Sequence, residues 1–329
     1  MFRVGVIFGG DGHEREVSLK SGIEICNALR SPCFEVLPFR IDHISDLEEL
    51  IGTGNTDIFF IALHGGWGEN GQLQSFLDLK GIPYTGPDAV ACEISMDKWK
   101  SKEIFIQSGI PTPEGILIDK ASARAIKGEI PFNFRSGKKD LVVKPNNGGS
   151  TLGVSIVTSD QPEKLFPALE QAFQYDDLAI IETFIPGREL AVTIVEENGE
   201  LDVLPVVEIL PHNGFYSYEA KYSGGKSSYF APAPMSERIL KLVEQVASDA
   251  FKAIGSSVYS RVDIRLDPGG VPYILELNSV PGMTSTSLVP KAAIARGITF
   301  PEFLQKVLRL SWRKRSPMPL PSILGSRKP

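Results

Sequence analysis

Cysteine is scarce: Cys26, Cys33 and Cys92 are the only three in 329 residues, and none stands in a C-x-x-C pair. That excludes a disulfide scaffold and a zinc site, and it suits a reducing compartment where the thiols act as small buried hydrophobes. Long apolar runs are missing as well, since none approaches the ~20 residues that span a bilayer. The opening MFRVGVIFGG meets glycine too soon to read as a secretory signal, so a soluble, cytoplasmic protein with no membrane partner is expected. Positive charge is in deficit. With 34 Lys and Arg against 40 Asp and Glu, the net charge is -6 and the pI about 5.4, which excludes a broad nucleic-acid surface and leaves room for a local cationic pocket.

Three familiar signatures each fail on a letter. Gly225-Lys226-Ser227 resembles the end of a P-loop, but the upstream glycine position holds Ala220. Gly148-Gly149-Ser150 resembles a nucleophile elbow, but position 152 is leucine where glycine is required. Gly10-Asp11-Gly12-His13-Glu14-Arg15 lacks the third glycine of the dinucleotide fingerprint. A P-loop ATPase and a serine hydrolase are thereby excluded, and a nicotinamide cofactor is disfavoured.

What is present suffices for two or three domains with proper cores, because 42% of the chain is hydrophobic. Val4 to Phe8, ending in Gly9-Gly10, followed by the helical pattern Val17 to Leu29, predicts a strand-loop-helix unit, and Asp57 to Leu63 with Gly71 to Lys80 repeats it. Such alternation predicts a mostly parallel sheet, with ligands beyond the carboxyl ends of its strands. A helix is expected over Trp99 to Gln107, strands over Glu189 to Glu196 and Leu201 to Ile209, and helices over Ser236 to Ile254 and Pro301 to Leu310, while Asp119 to Gly137 is too irregular to assign. On the longer of these helices Ile239, Leu242, Val243, Val246 and Phe251 form the expected core face.

Three stretches carry chemistry. Leu141-Val142-Val143-Lys144-Pro145 predicts a strand that delivers a lysine to Asn146-Asn147-Gly148-Gly149-Ser150-Thr151-Leu152-Gly153, whose small residues let the backbone approach a phosphate. Pro211 to Ala233 is a polar, tyrosine-rich loop that reads as a lid. Arg261 to Pro290 predicts a hairpin that turns at Asp267-Pro268-Gly269-Gly270. Alternation puts Val262, Ile264 and Leu266 on one face and Arg261, Asp263 and Arg265 on the other. With Leu266 opposite Val271, the return strand adds Glu276 and Asn278 to the Asp263 face and turns Tyr273, Leu275 and Leu277 away. Asp263, Glu276 and Asn278 are hard oxygen ligands of the kind Mg²⁺ takes while leaving positions for water or phosphate. The bland reading of the same patch is a solvated face with a weak Arg261–Glu276 ion pair.

Three motifs together, R-V-D-x-R-L-D, L-E-L-N-x-x-P-G-M-T-x-x-S and Y-S-Y-E-A-K-Y, resemble those of the D-alanine–D-alanine ligase family of ATP-grasp enzymes, and the likeness runs from Val4 to about Leu308. It implies an α/β and α+β molecule: a Rossmann-like parallel-sheet domain over 1–95, ATP-grasp subdomains over 96–189 and 190–311 with the lid at 211–233, and a basic, proline-rich tail over 312–329 expected to be mobile and dispensable. The implied cofactors are ATP and two Mg²⁺ (or Mn²⁺) ions, the ions held by Asp263, Glu276 and Asn278. Lys98 and Lys144 would contact the ATP phosphates. Glu182 would accept from the adenine amino group, the backbone at Ile185 would read the ring, and Glu189 would hold the ribose.

On the substrate side, Glu14 would receive the ammonium of the first D-alanine with Ser18 in support, while Tyr222 and Ser150 join Glu14 through hydrogen bonds and Lys221 approaches the transferred phosphate. Arg261 and the Gly282 N–H would stabilise an oxyanion, and Ser287 with Lys221 would take the carboxylate of the second amino acid. Thr183 departs from the family, many members of which have lysine there. The implied partners are two D-alanine molecules, with a homodimer left open. A D-Ala-D-Ser or D-Ala-D-lactate ligase and a nucleotide-binding module without catalysis are the competing readings.

Overall fold

Phe2–Gly9 (β1) is buried along nearly its whole length, as a strand covered on both faces must be. In the computed structural model, which describes residues 1–52, 56–126, 139–211 and 227–325, it is the centre of a parallel sheet ordered β2-β1-β3, with β2 at Phe34–Ile41 and β3 at Ile58–Ile61. The sequence gives no clear sign of β2 because Pro38 interrupts it, an interruption that an edge strand tolerates. Around this sheet lie α1 (Arg15–Leu29), α2 (Leu47–Gly52), α3 (Gln72–Leu79) and α4 (Ala89–Met96), followed by α5 (Lys98–Gln107), which leads into the second sheet. Ser18 of α1 accepts from Gly9 N at 2.8 Å and donates to the Ala62 carbonyl at 2.7 Å, so one buried hydroxyl joins the ends of β1 and β3 to the helix.

The second sheet is antiparallel and ordered β4-β7-β5-β6, from Gly115–Asp119 (β4), Leu141–Pro145 (β5), Ser155–Val157 (β6) and Leu178–Thr183 (β7). Helices α6 (Lys120–Ile126) and α7 (Leu165–Ala172) accompany it. The stretch Asp119 to Gly137, too irregular to assign from sequence, runs from the end of β4 into α6, and 127–137 lies outside the described residues; the Asp119 carboxylate accepts from the N–H groups of Ala121 and Ser122, a local start signal strong enough for a short helix.

The third sheet runs β11-β10-β8-β12-β13, with β9 also on β8. Its strands are Arg188–Glu197 (β8), Glu200–Val203 (β9), Val207–Pro211 (β10), Ser227–Phe230 (β11), Tyr259–Leu266 (β12) and Pro272–Asn278 (β13). Asn198 and Gly199 both have positive φ, 55° and 82°, the requirement of the tight hairpin turn between β8 and β9. The single strand expected over Leu201 to Ile209 is two strands, because Pro205 in the gap has no N–H for a ladder. Helix α8 (Glu237–Ile254) packs on this sheet through Val243, Val246, Ala247, Ala250, Phe251 and Ile254, whereas Leu242 of the expected core face is exposed.

The β12–β13 register differs from the expected one. Leu266 pairs with Pro272, Arg261 with Asn278 and Asp263 with Glu276, and a bulge between Asp263 and Ile264 leaves Leu275 as the extra residue. In a regular strand Ile274 and Glu276, two residues apart, share a face. The bulge separates them, so Ile274 enters the core while Leu275 and Glu276 both face the cleft, and Tyr273 and Leu275 are not the core residues that simple alternation selects.

Helices α9 (Leu288–Ala295) and α10 (Phe300–Arg315) close the chain, α9 against β8 and β10 and α10 against α1 and β3. The expectation of a mobile tail from residue 312 is corrected as far as residue 325. Trp312 is buried with its ring 5.2 Å from that of Phe2, Leu324 joins the same core, and Arg315 lies 4.0 Å over the Tyr84 ring while donating to the Gly86 carbonyl. Among the described residues no helix is long and apolar enough to cross a membrane.

Candidate active site

Two cavities meet in the cleft between the sheets, and Glu276 lines both. The first, of about 140 Å³, is bounded by Lys98, Lys144, the glycine loop at Gly148 and Gly149, the β7 end from Glu182 to Ile185, Glu189, and Asp263 with Glu276 on the hairpin. The second, of about 230 Å³, is bounded by Glu14, His64, Glu69, Ser150, Arg261, Glu276, Asn278, Gly282 and Ser287. Every predicted site residue within the described chain therefore lines one cavity or both except Ser18, which is fully buried and bonded to Gly9 and Ala62. Lys221 and Tyr222 lie outside the described residues, as does 212–226 of the lid expected over 211–233; its last part is corrected, because Ser227–Phe230 is strand β11 on β10 and not loop.

In the first cavity the Lys98 ammonium is 3.2 Å from Glu276 Oε2 and donates to the Gly148 carbonyl, tying α5 to the hairpin and to the glycine loop. Asn146 secures the same junction by accepting from Trp99 N at 2.9 Å and donating to Asp97 at 3.0 Å. Glu182 is buried between two ammonium groups, Lys144 at 2.6 Å and Lys102 at 3.0 Å. Burial alone pushes this carboxyl up, but the charges of Lys144 and Lys102 and the Lys144 hydrogen bond outweigh it and hold Glu182 below the ordinary glutamate range. At the other wall Arg265 donates to the Ile185 carbonyl at 2.9 Å and to Glu189 at 3.3 Å, and its guanidinium lies 5.2 Å from the Phe184 ring centre.

In the second cavity Ser150 donates to Glu14 Oε1, and Ser150 and Thr151 both have positive φ, 55° and 64°. Such backbone in non-glycine residues is uncommon and is concentrated where a loop holds a functional shape. Close approach explains two glycines here: a Cβ on Gly149 or Gly65 would come 2.5 or 2.8 Å from Glu14 Oε2. His64 sits between the Val280 carbonyl and Ser21 Oγ, 2.9 Å from each, with Glu69 3.5 Å away. Burial raises the Glu69 carboxyl above its usual range; the His64 hydrogen bond opposes this, and the charge of Glu14 adds to it. Opposite, Ser287 stands just before α9, where its Oγ makes no bond to the helix and accepts from Thr284 N in the preceding loop at 3.1 Å.

Arg261 grips Asp263 with two hydrogen bonds of 2.7 Å. Asn278 Oδ1 is buried with no hydrogen-bond partner, an orphan acceptor on the same face as the two carboxylates. Among the described residues no trio of Asp, Glu, His and Cys is placed to hold a metal ion, so the candidate set is two carboxylates and one amide. That donor set fits Mg²⁺, which takes one or two carboxylates and keeps water or phosphate on its other positions.

Sequence reasoning missed Lys102, Glu69 and Arg265 as site residues. Lys102 stands four residues after Lys98, one helical turn on, and Arg265 shares the Asp263 parity, so both left a trace. Glu69 left none, because its burial depends on contacts between distant segments.

A glycine loop and lysine on one antiparallel sheet, closed against a carboxylate-bearing hairpin on another, with a parallel sheet beside them, define an ATP-grasp protein. Family models for the "D-ala D-ala ligase C-terminus" and "D-ala D-ala ligase N-terminus" match residues 104–309 and 44–87. The chain belongs to the D-alanine–D-alanine ligase family. It is 41% identical to the D-alanine–D-alanine ligase of Halalkalibacterium halodurans over 95% of this chain and 100% of that one, and 39% identical to the ligase of Methylacidiphilum infernorum over 94% and 95%. A crystal structure of the Bacillus anthracis D-alanine–D-alanine ligase complexed with ATP superposes with a TM-score of 0.80 at 33% identity, covering 96% of this chain and 99% of that one. The VanG D-Ala:D-Ser ligase of Enterococcus faecalis gives 0.78 at 27% identity, covering 94% and 99%.

Proposed function

We propose that this enzyme uses ATP to join two D-alanine molecules into D-alanyl-D-alanine for the building of peptidoglycan precursors, in the cytoplasm. The observation that carries the reading is the meeting of the two cavities at Glu276, one lined by Lys98, Lys144 and Asp263 and the other by Glu14, Arg261 and Ser287. A nucleotide in the first would direct its terminal phosphate toward amino acids in the second. In function, the segments 1–95, 96–189 and 190–311 would supply the first amino acid's site, the phosphate cover and the metal face respectively.

A carboxylate does not react with an amine in water unless it is activated. An oxygen of the first D-alanine carboxylate attacks the γ-phosphorus, the bond from phosphorus to the β–γ bridging oxygen breaks, and ADP leaves with both electrons of that bond. The nitrogen of the second D-alanine then attacks the acyl phosphate, and the carbonyl carbon passes through a tetrahedral oxyanion before inorganic phosphate departs. Lys98 and Lys144 balance phosphate charge, as fixed cations aimed at developing charge do in a water-poor site. Glu14, held by Ser150, receives the first ammonium group. Arg261 and the Gly282 N–H face the oxyanion, and Ser287 receives the second carboxylate.

Asp263, Glu276 and Asn278 would hold Mg²⁺ or Mn²⁺, two ions in all, which when bound neutralises the phosphate oxygens. Lys221 and Tyr222 would complete the site from the lid. Closure matters because water would hydrolyse an acyl phosphate before the amine arrived.

Coupled ADP-release assays with D-alanine, D-lactate and D-serine test the assignment. The expected result is ADP formation that requires D-alanine and yields the dipeptide in equal amount. Turnover with another acid but not with D-alanine, or ATP binding without turnover on any of them, overturns it.

A further inference from the structure

Glu182 has two cationic partners, and they are not equivalent. Lys144, at 2.6 Å, lines the cavity. Lys102, at 3.0 Å from the other carboxylate oxygen, is 3% exposed and not among the residues lining the cavity. Its ammonium is anchored besides, donating to the Pro113 carbonyl at 2.7 Å and to Thr112 Oγ1 at 3.0 Å, while Thr112 Oγ1 donates to the Ile274 carbonyl at 2.9 Å. Lys102 therefore ties α5 and the Thr112-Pro113 linker to the bulged end of β13, next to Leu275 and Glu276.

We infer that Lys102 is a positioning residue: a counter-charge for Glu182, fixed in place by Pro113 and Thr112, that lets Lys144 leave that carboxylate and reach the nucleotide phosphates. The inference rests on the ATP-dependent reading above. A buried carboxylate stripped of its only cation is strongly disfavoured, since the low-polarity surroundings amplify an unbalanced charge. With a single lysine beside it, Glu182 would hold that lysine; with two, one of them anchored, the other is released at little cost. The arrangement separates two tasks, keeping Glu182 ionised and supplying a mobile charge, between two side chains of the same type.

Removal of Lys102 should then trap Lys144 on Glu182. Apparent nucleotide affinity falls by the fraction of molecules left competent, so a rise of about tenfold or more in the KM for ATP is expected for Lys102→Met, and the same loss in ADP affinity by calorimetry. The KM for D-alanine should stay within about twofold, because the D-alanine cavity is lined by other residues. Lys102→Arg should keep most of the affinity. The discriminating variant is Lys102→Met with Glu182→Gln, in which the neutral amide keeps an acceptor oxygen but no longer holds Lys144; nucleotide affinity should recover at least partly.

A merely structural Lys102 would instead weaken stability and all kinetic constants together, and the second substitution would restore nothing; that pattern overturns the inference. So does an unchanged KM for ATP in Lys102→Met. Parent protein that binds ADP but makes no dipeptide from D-alanine defeats the functional reading, while the calorimetric arm still decides the role of Lys102.

Discussion

At the scale of single residues, charge placement in the cleft sets the expected behaviour of variants. Lys144→Ala and Glu276→Gln should each lower turnover by at least about a hundredfold, as removal of a preorganised charge-stabilising group does. Thermal melting and far-ultraviolet circular dichroism should show the fold intact, and turnover near the parent level in either variant removes that residue from the mechanism. Glu69 gives a prediction in pH. Its carboxyl is raised in the fold by burial, against the hydrogen bond from His64 and with the charge of Glu14. The unfolded chain therefore loses this proton first, and above its unfolded value, about 4.3, the folded form holds more protons. Stability from this group is complete below that pH and is lost as pH rises through the folded value. Glu69→Gln should accordingly gain melting temperature relative to the parent as pH rises across that window, and a difference constant with pH contradicts the assignment.

At the scale of elements, the hairpin shows what could be read in advance and what could not. The face shared by Arg261, Asp263, Glu276 and Asn278 was legible from alternation, yet the exact pairing was not, because the turn sets Leu266 against Pro272 instead of Val271 and the bulged Leu275 shifts the register by one more residue, neither leaving a compositional mark. Likewise α1 and α8 were plain from their apolar spacing, while β2 was hidden by Pro38 and α6 by its few residues. Lys144 and its glycine loop could be named from local sequence; the ion triad with Glu182 and Lys102 could not, since it depends on α5 reaching β7 across the chain.

Helix α10 is the clearest reversal. Its basic, proline-flanked end reads as a tail, but Trp312 is a core residue against Phe2. Trp312→Ala should cost about 3 kcal/mol of unfolding free energy, the ordinary penalty for deleting a buried aromatic side chain, measurable by urea denaturation. A change under about 0.5 kcal/mol, typical of surface positions, would return this segment to the status of a tail.

At the scale of the whole molecule, an apolar cluster shared by the first and third sheets brings together groups from opposite ends of the chain. The apolar cluster under β1 includes Tyr259, Met283, Leu288, Phe303 and Leu308, so the first and last segments are packed as one unit. Glu14 near the amino end thereby faces Ser287 near the other across a single cavity, and the glycine loop of the middle sheet closes over both. The account stands on the transfer of phosphate to a D-alanine carboxylate where the two cavities meet. D-alanine labelled with ¹⁸O in its carboxylate tests this most directly, with the released inorganic phosphate analysed by mass spectrometry. One labelled oxygen in each phosphate per dipeptide formed is the predicted result, and phosphate carrying no label would contradict the acyl-phosphate route.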